Sequence, residues 1–204
     1  MGDQPALDGR GHVLAVLALL AIGAGVCSGL LVSSSSATAA TGVPAGNAAV
    51  VVGKPITVHT FDHWMYVAAK GEAATSPHAP VIVPTDPPRF DGCIGQVRAQ
   101  IPSLEGTSDR VLRRDCGRLF VSLSSQVLDF LIKAHWYEDQ AVAERITITP
   151  AEVRRALEKA KRQEFRSARA FRMFLKQTGQ TAHDLFFRVR INLTDQVRPL
   201  LRDE

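Results

Sequence analysis

The stretch SSQVLDFLIKAHWYEDQAVAERITITPAEV, residues 124–153, decides the fold. Val127, Phe130, Leu131, Ala134 and Ala141 recur at spacings near three and four, and so fall on one stripe of an α-helix. A few residues later Thr149-Pro150-Ala151-Glu152 supplies a new helix start. Threonine is the N-cap, proline sits at the first helical position, and the glutamate reaches back to complete a capping box. One long helix therefore ends and another begins within a short break.

Toward the N-terminus the same stripe runs back through Leu123, Leu119 and Leu112, broken only by Gly117. This predicts a helix from about 108 to 143. Toward the C-terminus, the helix opened by Thr149 ends near Phe165. Ser167 starts another, with Phe171, Phe174 and Leu175 on one face and Gly179 at its end. Thr181 to Asp184 opens the last helix, whose stripe is Leu185, Val189, Leu193 and Val197, and Pro199 weakens its end.

Upstream, AAVVVGKPIT (48–57) reads as one β-branched strand followed by a Gly-Lys-Pro turn. Apolar residues at 61, 64, 65 and 68 then predict a short helix, capped by Thr57 or Thr60, with Gly71 past its end. Prolines at 77, 80, 84, 87 and 88 make residues 72–107 a proline-rich connector, extended and lying against the helices through Val81, Ile82 and Val83. The fold class is thus mainly α. One long helix is packed by several shorter ones, with one short N-terminal strand. No shorter helix buries its stripe alone, so each must pack on the long one.

The first forty residues read differently. Val13 to Val32 is twenty residues without a charge, long enough to cross a bilayer as a helix. Arg10 precedes it, and Ala37-Thr38-Ala39 is a signal-peptidase type of site. Residues 1–40 are therefore expected to be a signal peptide or a membrane anchor through 13–32, residues 41–47 a linker, and 48–204 an extracytoplasmic domain of the cell envelope. Cys27 lies within the apolar run and is a weak lipidation candidate, because Val26 stands where a small residue is usual.

Outside the cytoplasm the remaining pair, Cys93 and Cys116, points to a disulfide. Zinc is the alternative, with His59 and His63 at i,i+4 spacing as further ligands, but no H-E-x-x-H surrounds them. No G-x-S-x-G, P-loop or G-x-G-x-x-G is present, and His135 beside Trp136 has no evident orienting partner. No catalytic residue, metal or cofactor is expected. Between Arg154 and Arg172 eight residues are Lys or Arg and two are Glu. In an exported chain without a recognition helix, this run reads as a cationic face rather than a nucleic-acid site.

Taken in order, VVVGKPIT, FDHWMYVAAK, the stretch 124–153, FRMFLKQTGQTAHDLFFRVRINL and VRPLL resemble the N-terminal chaperone domain of SurA-type and PrsA-type foldases, over roughly 48–200. The proline-rich connector and the cysteine pair are similar to the actinobacterial members. The resemblance implies a holdase that binds apolar segments of newly exported polypeptides in a groove between the long helix and the C-terminal helices. It does not extend to a parvulin-type prolyl isomerase domain. Met65, Met173, Phe174 and Phe186 are the expected client-binding residues. Adjacent Phe186 and Phe187 cannot both face one core. The competing functions are prolyl cis–trans isomerisation and an envelope scaffold for one folded partner.

Overall fold

The computed structural model describes residues 43–76 and 78–200, with side chains through 196. Residues 13–32 and Cys27 lie outside the described residues. Among the described residues no helix is long and apolar enough to cross a membrane.

The described residues begin with two strands, not one. β1 (Asn47–Val51) and β2 (Lys54–Thr57) pair antiparallel through a two-residue loop. Val52 and Gly53 both take positive φ, 49° and 78°, as a hairpin turn that follows the strand twist requires. Gly-Lys-Pro, read above as a turn, is therefore the turn's last residue and the first two of β2. Pro55 is tolerated because β2 is an edge strand and needs no further donor there. Ile56, at 2% exposure, and Val51 are the buried residues the hairpin delivers to the core.

Six helices follow among the described residues. They are α1 (Val58–Ala74), α2 (Asp91–Gln100), α3 (Asp109–Ala143), α4 (Pro150–Glu164), α5 (Ala168–Thr178) and α6 (Ala182–Leu200). Thr57 caps α1, its hydroxyl accepting from the Thr60 N–H at 3.1 Å. Gly71 lies inside this helix rather than beyond it. The box before α4 forms as expected. Glu152 N–H donates to Thr149 Oγ1 (3.3 Å), and Thr149 N–H donates to Glu152 Oε2 (2.7 Å). Hydrogen bonds from the Thr149 hydroxyl and amide hold the exposed Glu152 carboxyl below its usual range.

The connector is not wholly irregular. It is extended only at 79–85, residues 87–89 turn, 91–100 form α2 and 102–104 a single 3-10 turn. α2 starts without an adjacent side-chain cap: Phe90 has φ 56°, and its place is taken by Asp86, whose Oδ2 accepts from the Gly92 N–H at 2.7 Å. In return α2 fixes the connector. Gln96 pairs with both backbone groups of Val83 (2.8 and 3.2 Å), and Gln100 with both of Val81 (2.9 and 2.9 Å). One helical turn and two extended residues both advance by roughly 6 Å, so two amides in i,i+4 register meet two backbones in i,i+2 register.

α3, 35 residues and so about 52 Å long, is the spine. Its middle packs on the hairpin and α1, where Ile56, Trp64, Met65, Val67, Leu123, Val127 and Leu131 make the first core. Its N-terminal third packs on α2 and the connector, where Ile82, Phe90, Ile94, Val97 and Leu112 make the second. Cys93 and Cys116 are bonded there as a disulfide. Their thiols are thereby taken, and the zinc alternative falls. Val153 and Leu157 of α4 meet Leu185 and Val189 of α6 in a third core.

Gly179 ends α5 in the left-handed conformation, φ 69°, where a β-carbon would stand 2.8 Å from Tyr66 Cε1 and 2.9 Å from Lys70 Cδ. Gly179→Ala meets both the backbone preference and this close approach. It is expected to cost about 1–2 kcal/mol in chemical denaturation, and an unchanged midpoint would show that the junction is free to rearrange.

Candidate functional site: an aromatic-floored cleft

The first core is not closed on the side facing the start of α6. A cleft of about 560 Å³ opens between the hairpin, α1, α3 and α6. Its floor is apolar. β2 contributes Ile56, α1 Trp64, α3 Leu131 and Ala134, and α6 Phe187. The aromatic part is fixed by ring packing. Trp64 and Phe130 lie 4.8 Å apart between centroids, Trp64 and Phe187 6.0 Å, and Phe130 stands perpendicular to Phe187 at 5.9 Å.

Its walls are polar, and their placement follows from helical periodicity. His59 and His63 are one turn apart on α1, and His135 and Glu138 lie on α3 one turn beyond Leu131 and Ala134. His183 and Asp184 open α6. Four of the six histidines in the chain thus line one cleft. Asp184 is the pivot. It is buried, and its Oδ2 accepts from the amide (2.7 Å) and hydroxyl (2.8 Å) of Thr181, capping α6. Its Oδ1 lies 2.9 Å from His63 Nε2 on α1. A single carboxylate therefore both starts the last helix and ties it to the first.

The outer end of the cleft is held by Glu138 on α3, which pairs with Arg190 on α6, and by Lys54 at the start of β2, which pairs with Asp139. Next to it Arg188 donates to Gln180 Oε1 (3.1 Å) and lies 5.8 Å over the Phe130 ring. Burial pushes its guanidinium down from the usual arginine value, while Asp184 works the other way. His135 Nδ1 is buried without a hydrogen-bond partner. Buried polar atoms are normally matched, and this imidazole nitrogen is an exception.

The expected client-binding residues do not converge. Met65 is fully buried beneath the cleft, in the first core. Phe174 packs on Phe165 at 5.2 Å, and Phe186 is half-buried in the third core. Met173 is 46% exposed on α5. None of the four lines the cleft. The α6 pair does split: Phe187 packs against the first core and Phe186 against the third. Sequence reasoning reached His59, His63 and His135 separately but not their meeting with His183. The only local signal was the i,i+4 spacing of the first two. Among the described residues no three His, Cys, Asp or Glu side chains are close enough together to hold a metal ion.

No family model matches the chain, and neither a curated protein nor a solved structure shows significant similarity to it. The likeness to the foldase chaperone domains rests on the order of the sequence motifs.

Proposed function

We propose that the protein is an extracytoplasmic, membrane-associated chaperone that holds apolar segments of newly exported polypeptides, with the cleft as the client site. The observation that carries this reading is a cleft whose apolar floor, with Trp64 and Phe187, is ringed by imidazoles. Such a surface captures an apolar side chain by desolvation and leaves polar groups at the rim for the client backbone. The cysteine bridge fits an oxidising compartment, in keeping with the apolar run at 13–32. The SurA/PrsA-like motif order points the same way.

Prolyl isomerisation is a second reading, favoured because imidazoles line the same cleft as a floor that would accept a proline ring. One set of assays separates the two. The full chain, held in neutral-lipid nanodiscs, is mixed with two unrelated heat-labile clients, and a proline peptide is followed in parallel. Protection of both clients, lost in His59→Glu/His135→Glu with the fold intact, is the expected result, and the cis–trans rate stays at its uncatalysed value. Protection of neither client by folded protein would sink the holdase. Catalysis lost in the same variant would give the cleft to isomerisation. Protection of one client alone would point to a dedicated scaffold.

A further inference from the structure

We propose that the face formed by α4 and α5 docks on an anionic lipid surface. Residues 154–172 carry eight basic and two acidic side chains, a local excess of six, larger than the +4 of the whole chain. The structure shows how that charge is presented. Arg154, Arg155, Lys159 and Arg162 surround a shallow groove of about 450 Å³ on α4, with Glu158 among them. Glu158 is engaged by Lys161 at 2.7 Å. Arg166, Arg169 and Arg172 continue the charge across the junction and along α5, and all seven of these cations are exposed. None of the seven forms an ion pair among the described residues, whereas Arg98, Arg113, Arg118, Lys133 and Arg190 elsewhere do.

The junction between the two helices is closed by aromatic packing. Phe165 packs on Phe171 and Phe174, each at 5.2 Å, and Lys161 lies 4.9 Å over the Phe171 ring. The apolar side of α5 is thus spent on the third core, and Met173 is its large exposed apolar residue. A face with spread positive charge and little free apolar area suits head groups, not the acyl interior. An acidic peptide would need a defined channel, and the groove spans only the α4 part of the face. Residues 33–46 reach at most about 50 Å from the apolar run to β1, so an anchored domain stays within range of the bilayer. This inference is independent of what the cleft binds.

The test uses the full chain on vesicles of phosphatidylcholine, alone or with one-third phosphatidylglycerol. Arginine modification by phenylglyoxal is read by mass spectrometry. Each basic residue near an anionic surface adds about fivefold to binding, so modification of Arg154, Arg162, Arg166 and Arg169 is expected to slow about tenfold on the anionic vesicles. Molar salt should restore it. Arg113 and Arg118 serve as unaffected references. The quadruple Arg154→Gln/Arg155→Gln/Lys159→Gln/Arg162→Gln variant should lose the protection of Arg166 and Arg169, and a variant with lysine at the three arginine positions should keep it. Equal modification on both vesicle types overturns the proposal. So does protection by polyglutamate with none from phosphatidylglycerol, which would assign the face to acidic polypeptides.

Discussion

Met65→Ala is expected to lower the unfolding free energy by about 2–5 kcal/mol and to leave the client holding proposed for the cleft unchanged per folded molecule. Met65 is fully buried, between the hairpin, the body of α1 and the middle of α3. Truncation removes most of an unbranched side chain that fits an irregular gap, and the surrounding helices collapse only in part. Trp64, one position earlier, stays packed on Phe130 and Phe187, so the cleft floor survives in the folded fraction. Urea denaturation and client protection, each measured against folded concentration, check the two halves. A variant of normal stability that no longer protects clients would place Met65 at the client surface and refute its burial.

Reducing the Cys93–Cys116 bridge should remove about 3 kcal/mol, the loop entropy released when residues 23 apart in sequence are no longer joined. The loss is expected to be uneven. Both sulfurs are buried in the second core, which joins α2 and the connector to the N-terminal third of α3. The cleft is built on the other two-thirds. Hydrogen exchange should therefore rise first in 81–100 and 109–120 under reductant, while 58–74 and 127–138 keep their protection. Uniform exposure of all these segments would mean that the cores unfold as one unit. Cys93→Ala/Cys116→Ala adds the loss of two buried side chains, so reduced wild-type protein is the cleaner comparison.

Local signals in the sequence are legible where they decide structure alone. Thr149-Pro-Ala-Glu and Thr181–Asp184 start helices in the structure because cap and acceptor lie three residues apart. β2 was hidden because glycine and proline flank Lys54 and punctuate the chain like a turn. α2 was hidden because Asp86 caps it from six residues before Gly92, across a left-handed Phe90, and no adjacent residue announces the start. The cleft was least legible of all. Its walls come from positions as far apart as 59 and 183, and only tertiary packing on α3 brings them together. Met65 shows the same limit from the other side. A stripe residue beside a candidate groove and one beneath it have the same spacing in sequence.

The disulfide also has a bearing on survival after proteolytic attack. It encloses the exposed turn at 102–108, the most accessible segment between α2 and α3. A single cut there leaves the two fragments covalently joined, with Gln96 and Gln100 still gripping the connector on one of them. Cleavage at that turn therefore scars the chain without dismantling it, and only reduction completes the break.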